Sequence, residues 1–357
     1  YLKMKLRLGK KIIDKNSKPL LIAEMSCNHC GSLKTAKKII AESKRMGADF
    51  VKFQTYEPHT MTIKADNKFL KIQKGLWKGK YLWDLYKEAQ TPFSWQKELF
   101  DYARKIGIEA FSTPYDPTAV DLLEKIKCPI YKIASFELTD LPLIEQIAKT
   151  KKPIIISTGM AEMNEIDDAI KIIKKYGNNN FIILYCVSTY PATAKDFHLY
   201  NIKILQNKFK CFVGLSDHSN SSKIASLAVS MGAKIFEKHV ALQNQKKGFD
   251  IKFSLKGREI KSFIKNINDA WQITKKSKYI VSKSQRSAKK YRRSIFVVKD
   301  IKKGEKFTKQ NIKRIRPGYG ISPFYYEKIL NKKSPANIKM GEPLRHNILK
   351  KIFKKLN

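Results

Sequence analysis

Eight short apolar runs, each rich in β-branched residues, recur through the first 240 positions of the chain, at 20–26, 49–55, 109–113, 130–135, 153–158, 181–188, 211–217 and 234–239. Stretches with apolar residues at helical spacing lie between most of them. Strand then helix, eight times over, leaves few folds open: the expected class is α/β, a (β/α)8 TIM barrel. In that fold the chemistry gathers where the strands end. The residues closing the runs should therefore share one mouth: Glu24, Lys52, Gln54, Thr113, Lys132, Ser135, Ser157, Ser188, Asp217, His218, Glu237 and His239. Lysines, hydroxyls, carboxylates and two histidines together point to an enzyme for an anionic substrate, working with a metal.

The 357 residues suffice for a barrel of about 250 residues and a small second domain. Residues 1–19 read as a hairpin or cap, and Leu33–Met46 as a helix. The segment 57–100 is long for a strand-to-helix connection and carries Trp77, Tyr81, Trp83, Tyr86 and Trp95, which predicts an ordered lid or pocket wall. A helix is expected over 257–276, with Ile260, Phe263, Ile264, Ile267 and Trp271 on one face. The basic stretch KKSKYIVSKSQRSAKKYRR reads as a linker, and the residues beyond it are rich in short strands and turns. The expected domains are thus a catalytic barrel with its cap at 1–274, a linker at 275–293, and a small β-rich domain at 294–357.

The net charge is +41. Nucleic-acid binding concentrates such charge on one face. Here the lysines are spread along the whole chain, without the aromatic interleaving of RNA-binding motifs, so a solvated surface is the reading and no nucleic-acid partner is expected. The charge still steers anions toward the molecule. No run of about 18 apolar residues occurs, so no membrane partner is expected. The N-terminus has no secretory pattern and the five cysteines form no framework, which together suggest a cytoplasmic protein with free thiols.

Lys52 and Lys132 can hold a phosphate or carboxylate as point charges. Hydroxyls at Thr113, Ser135, Ser157 and Ser216 can donate to its oxygens, and Ser157-Thr158-Gly159 resembles an anion-cradling loop. His218 and His239 close neighbouring strands, so both imidazoles can face one ion; two nitrogens plus substrate oxygens suit Mn²⁺, Zn²⁺, Co²⁺ or Fe²⁺ better than Mg²⁺. Asp217 and Glu237 stand near enough to orient them or carry protons. Cys27, His29 and Cys30 are too few for a structural zinc site, which wants four ligands. Asn28 and His29 are expected to line the mouth instead. Glu24 at a buried strand end should have a raised pKa unless paired, which makes it a candidate acid or base.

The segments AEMSCNHCGSL (23–33), GADFVKFQT (47–55), FSTPYD (111–116), YKIASFE (131–137), PIIISTGM (153–160), GLSDH (214–218), FEKH (236–239) and RPGYG (316–320) resemble, in order, the sialic acid synthase family. That resemblance implies a barrel joined to a C-terminal antifreeze-like (SAF) domain, and condensation of phosphoenolpyruvate with an acetamido sugar aldehyde. The segments at 82–103, 292–305 and 315–323 resemble the branch that makes pseudaminic acid. The implied acceptor is 2,4-diacetamido-2,4,6-trideoxy-L-altrose, with N-acetylneuraminate or legionaminic acid synthesis as the alternative. By the same resemblance Lys52, Gln54, Thr113, Lys132, Ser135, Ser157, Ser188, Tyr190 and Ser216 would bind phosphoenolpyruvate. His218 and His239 would hold the metal, with Mn²⁺ expected and Mg²⁺ or Co²⁺ as alternatives. Glu24 or Glu237 would move protons, and Asp250 would bind sugar hydroxyl or amide groups. Arg316 would reach the barrel of a second subunit in a domain-swapped homodimer, for which the basic linker is long enough. One departure stands beside Asp250: Phe249 occupies a place where the family usually has proline.

Overall fold

The computed structural model describes residues 5–275 and 278–353. The chain divides into two compact units, Tyr1–Lys276 and Ser277–Asn357. Residues 1–4 of the expected cap lie outside the described residues. The rest of the cap is an antiparallel hairpin of β1 (Leu6–Leu8) and β2 (Lys11–Ile13).

Eight parallel strands come next: β3 (Leu20–Glu24), β4 (Phe50–Thr55), β5 (Glu109–Pro114), β6 (Tyr131–Ile133), β7 (Ile154–Ser157), β8 (Phe181–Cys186), β9 (Val213–Ser216) and β10 (Ile235–Ala241). Each pairs with the next, and β10 pairs back onto β3, which closes the barrel. Each falls on one of the expected runs to within two or three residues at either end. A short β11 (Leu255–Lys256) extends β10. The strands are buried on both faces because helices cover the outside, so they read as continuous apolar runs rather than alternating ones.

In chain order the helices of this unit are α1 (Leu33–Met46), α2 (Pro58–Met61), α3 (Leu82–Ala89), α4 (Phe93–Ile106), α5 (Pro117–Lys125), α6 (Leu141–Lys149), α7 (Met163–Lys175), α8 (Asn201–Phe209), α9 (Ser222–Ser230) and α10 (Arg258–Thr274). Their starts are written in the sequence. The Ser32 hydroxyl accepts from the Thr35 N–H at 3.2 Å and opens α1; Gly47, at φ +96°, takes the left-handed turn that ends it. Asp116 accepts from the Thr118 and Ala119 N–H groups at 2.8 and 3.3 Å, with Pro117 at the first helical position of α5. The expected helix at 257–276 is α10, which buries Ile260, Phe263 and Ile267. Among the described residues no helix is long and apolar enough to cross a membrane.

Within 275–293, Lys276 and Ser277 lie outside the described residues. Residues 283–291 form a short helix, α11 (Lys283–Ser287), and a 3-10 turn, Ala288–Tyr291. In the second unit β12 (Ser294–Val297) pairs antiparallel with β13 (Ile312–Ile315). The unit has its own core around Ile295, Phe307, Ile312, Ile321 and Leu344. It holds less strand than its turn-rich sequence suggests, because two helical pieces, α12 (Tyr326–Ile329) and α13 (His346–Ile352), close that core.

Candidate active site

Register decides which strand-end residues meet. Lys52 on β4 stands opposite Glu24 on β3, and Ser216 on β9 opposite Glu237 on β10. Side chains at such matched positions on neighbouring strands lie on one face. Lys52 Nζ accordingly sits 2.8 Å from Glu24 Oε2 and 3.4 Å from Glu237 Oε2, and donates to Thr113 Oγ1 at 3.2 Å. Ser216 donates to Glu237 Oε1 at 3.0 Å, and Lys132 Nζ lies 4.0 Å from that same oxygen. All four charged groups are buried. Burial works against the Lys52 charge, but Glu237 and Glu24 outweigh it and raise its pKa. Burial lowers that of Lys132, which Glu237 offsets only in part. For Glu237 burial is overridden by Lys132 and Lys52, which hold the carboxyl at about 2. The floor of the barrel mouth is thus an alternating cluster of two cations and two carboxylates. Beside it the Ser157 hydroxyl is buried, borders the cavity and has no hydrogen-bond partner among the described residues. Gly159 explains how tightly the next loop packs: a Cβ there would run into Ser188 Oγ, and its N–H donates to Ser135 Oγ at 3.0 Å.

His218 and His239 lie side by side, ring centroids 5.3 Å apart. His218 Nδ1 is 3.2 Å from the Val187 carbonyl oxygen, and His239 Nδ1 is 3.1 Å from Asp250 Oδ2. The Val187 carbonyl oxygen orients the His218 ring, and the Asp250 carboxylate lies beside His239 Nδ1 without a hydrogen bond to it. Asp250 also accepts from the Cys27 thiol at 3.4 Å. Among the described residues no group of three or more His, Cys, Asp and Glu side chains converges on one point. An ion held by these two rings would have to take its remaining ligands from substrate oxygens and water.

These groups share one cavity of about 410 Å³. Its apolar wall comes mainly from 57–100: Met61, Ile72, Trp77, Leu82, Leu85 and Tyr86. The expected wall is there, but only some of its aromatics face inward. Trp95, on α4, packs edge-on against His29 at 5.6 Å instead. Gln54, Ser135, Tyr190 and Phe249 also border the cavity. Phe249 does not displace Asp250, which is buried and reaches His239.

Several expectations are corrected. Asp217 does not face the histidines: its carboxylate lies 3.4 Å from Lys238 Nζ and accepts from the Ser219 N–H at 2.8 Å. Alternation is the reason, since Lys238 lies between the inward-facing Glu237 and His239, and Asp217 between Ser216 and His218. Asn28 and His29 are buried but do not line the mouth. Asn28 donates to the Val240 carbonyl oxygen and Ser254 Oγ, both at 2.9 Å, while His29 bonds Thr91 at 3.1 Å. Glu24 meets the condition attached to it, being paired with Lys52. Thr113 and Ser188 are not among the residues that border the cavity: Thr113 Oγ1 accepts from Lys52 at 3.2 Å, and Ser188 Oγ lies 3.6 Å from the Cys186 thiol. Arg316 belongs to the second unit, directly after β13, and is exposed there.

The structure adds groups that the ends of the apolar runs do not mark. Cys186, whose thiol lies 3.9 Å from His218 Nδ1, borders the cavity, as do Tyr56 and Tyr115. Glu137 is the most consequential. It closes the 3-10 turn Ser135–Glu137 after β6, borders the cavity, and has a buried Oε2 without a partner among the described residues. Desolvation raises its pKa from 4.5 to about 7, with Lys132 opposing. A carboxyl raised on folding keeps its proton longer in the folded state. The folded state therefore loses stability as pH rises from about 4.5 through about 7. Glu137→Gln should remove that loss and leave the variant more stable than the parent above pH 7 by roughly 1–3 kcal/mol. Denaturant melts of both chains at pH 5 and pH 8 check this; equal differences at the two pH values would refute it.

A (β/α)8 barrel whose mouth joins buried lysines and serine hydroxyls to a pair of imidazoles defines a barrel enzyme for an anionic substrate. The NeuB family model matches residues 39–279, and the SAF domain model matches 292–349. Pseudaminic acid synthase of Helicobacter pylori is 40% identical over 91% of this chain and 96% of its own length. That of Campylobacter jejuni is 38% identical over 92% and 96%. The crystal structure of N-acetylneuraminic acid synthetase from Leptospira borgpetersenii in complex with citrate superposes with a TM-score of 0.71 at 30% identity, covering 80% of this chain and 95% of that one. The chain belongs to the NeuB family, the sialic acid synthases that its sequence resembles, and ends in a SAF domain.

Proposed function

We propose that this chain is a pseudaminic acid synthase, condensing phosphoenolpyruvate and water with 2,4-diacetamido-2,4,6-trideoxy-L-altrose to give pseudaminic acid and phosphate. The observation that carries the reading is a single cavity with two chemistries. It offers Lys52, Lys132 and the unpartnered Ser157 hydroxyl to an anion, and the apolar wall from 57–100 to a sugar short of hydroxyls. The relatives that make pseudaminic acid match more than nine-tenths of the chain.

The work divides among the residues. Lys52 and Lys132, with hydroxyls from Thr113, Ser135, Ser157, Ser188 and Ser216 and with Gln54 and Tyr190, hold the phosphate and carboxylate of phosphoenolpyruvate. His218 and His239 hold a divalent ion, Mn²⁺ by preference with Mg²⁺ or Co²⁺ as substitutes, and Asp250 lies beside the His239 ring. When bound, that ion supplies Lewis-acid polarisation of the acceptor's aldehyde oxygen. C3 of the enol attacks the aldehyde carbon, and the positive charge left at C2 is flanked by Glu24 and Glu237. The aldehyde oxygen, now an alkoxide, takes up a proton from a carboxyl group of the cavity; water adds at C2 and gives one proton to a carboxylate, and as the C–O bond to phosphate breaks the C2 hydroxyl passes its remaining proton to the departing phosphate and leaves the keto group. Glu137, half protonated near neutral pH, is a further donor within the same cavity. Asp250 is also placed to meet sugar hydroxyl or amide groups.

The test is phosphate release from phosphoenolpyruvate with Mn²⁺, run beside each other with the diacetamido-altrose and with N-acetylmannosamine. Release with the first sugar alone is expected. Release with N-acetylmannosamine alone would reassign the chain to N-acetylneuraminate synthesis.

The second unit enters through Arg316, which we place over the barrel of a second subunit in a homodimer. Mixing an Arg316→Ala chain with a His239→Ala chain in equal amounts, each inactive alone, should then restore up to about a quarter of the activity, because about half of the randomly exchanged dimers are mixed and each of those holds one intact site of two. Mixtures no more active than their parts would refute action across subunits.

A further inference from the structure

We propose that the hairpin spanning residues 70–82 is the element that selects a deoxygenated acceptor, with Ile72 and Trp77 packing against the C6 methyl end of the sugar. This rests on the reading of the cavity as a pseudaminic acid synthase site.

The hairpin is held by its own ladder. Leu82 N–H donates to the Leu70 carbonyl at 2.8 Å, Ile72 N–H to the Lys80 carbonyl at 2.9 Å, and Gly79 N–H to the Ile72 carbonyl at 2.8 Å. Between Leu70 and Tyr81 its side chains are mostly polar and basic, Lys71, Gln73, Lys74, Lys78 and Lys80, and the apolar ones are Ile72, Leu76 and Trp77. No residue from Leu70 to Tyr81 is fully buried, so the hairpin has no core of its own. Yet Ile72 and Trp77 turn inward and border the catalytic cavity. In a solvent-facing ribbon, large apolar side chains directed into a substrate cavity are placed there for an apolar ligand surface.

Their position fixes which end of the sugar they meet. The Trp77 ring lies 6.1 Å from the Tyr190 ring, and Tyr190 lies 4.6 Å from His218. Trp77 is therefore one ring removed from the imidazoles that face the aldehyde carbon. A six-carbon open-chain sugar with C1 at the histidines runs along Tyr190 and presents its far end to Trp77 and Ile72. Met61, Leu82 and Leu85 complete the apolar surface there. Ile72, Met61, Leu82 and Leu85 offer no side-chain hydrogen-bond partner to a hydroxyl at C6, and the Trp77 indole N–H can only donate, so the proton of a 6-hydroxyl would be desolvated against them without compensation. Apolar pockets reject an added hydroxyl only moderately, by about 10- to 100-fold.

The experiment compares kcat/KM for 2,4-diacetamido-2,4,6-trideoxy-L-altrose and for its counterpart bearing a 6-hydroxyl. The native chain should prefer the deoxy sugar by about 10- to 100-fold. Ile72→Ser and Trp77→Ala should each reduce that ratio to about 3 or less by losing rate on the deoxy sugar. The KM for phosphoenolpyruvate should stay within about 2-fold, and Trp77→Phe should keep the preference. A purely structural role would lower both sugars together and raise the phosphoenolpyruvate KM. An unchanged ratio in both variants, or no preference in the native chain, overturns the inference while leaving pseudaminic acid synthesis standing. Turnover of neither diacetamido sugar by the native chain overturns the functional reading itself.

Discussion

Alanine at either His218 or His239 should lower turnover by at least ~10³-fold, about 4 kcal/mol of barrier, without unfolding the barrel. The two rings stand next to each other at the mouth, and each has an oxygen near its Nδ1, the Val187 carbonyl for one and the Asp250 carboxylate for the other. Removing either leaves one nitrogen, which does not hold a divalent ion against water. Both rings also pack against Phe253, at 5.9 and 4.9 Å between centroids, so truncation costs roughly 1 kcal/mol of aromatic packing, too little to unfold a chain of this size. Calorimetric titration with Mn²⁺ separates binding from chemistry: the native chain should take up one ion and either variant none. Asp250→Asn, which keeps the shape but removes the charge beside His239, should show the milder loss of about 10- to 100-fold in affinity. Full activity in chelator-treated protein, or Mn²⁺ uptake undiminished in both histidine variants, would sink the assignment.

Period and phase separate the features that are legible in the chain from those that are not. The barrel strands are legible because burial on both faces makes each a short uninterrupted apolar run, and capping residues such as Ser32 and Asp116 mark where helices begin. A run's end says that a residue is near the mouth. It does not say whether the side chain points into the barrel or out. Asp217 and Ser216 are adjacent in sequence, yet one binds Lys238 outside the barrel and the other Glu237 inside. Only the register of β9 against β10 separates them. Asn28 and His29 depart from expectation for a related reason: after β3 the chain turns, and its side chains satisfy Val240, Ser254 and Thr91 instead of the cavity. Glu137 escapes the strand-end rule because it sits in a 3-10 turn beyond its strand. The signal for it is its place two residues after Ser135, in a segment that already suggests the family. The wall illustrates the same limit. Aromatic content marks 57–100 as a wall, but whether Trp77 or Trp95 faces the ligand depends on hairpin geometry and helix phase, which composition does not carry.

Glu237→Gln should do more damage than its size suggests, because the carboxylate neutralises two buried cations. Lys52 keeps Glu24 at 2.8 Å, but Lys132 has no other carboxylate within 4.0 Å among the described residues, only the Ile133 carbonyl oxygen at 3.0 Å. Breaking one side of a buried ion pair typically costs about 3–5 kcal/mol, since the partner's charge is left without compensation. Ser216 loses its charged acceptor as well. The variant should therefore melt at a lower denaturant concentration by an amount equivalent to roughly 3 kcal/mol, and turnover should fall by at least ~10²-fold through lost proton transfer. The sign of the ligand response distinguishes this account from a loss of packing. An anion entering beside Lys52 and Lys132 competes with Glu237 in the native chain and replaces it in the variant. Inorganic phosphate should thus stabilise the variant more than the native chain, recovering part of the lost stability. Phosphoenolpyruvate should do the same at lower concentration, because its carboxylate adds a second anchor. Equal stability of the two chains without ligand would mean that Lys132 sheds its proton instead of its partner. A smaller phosphate response in the variant would mean that the anion does not bind between the two lysines.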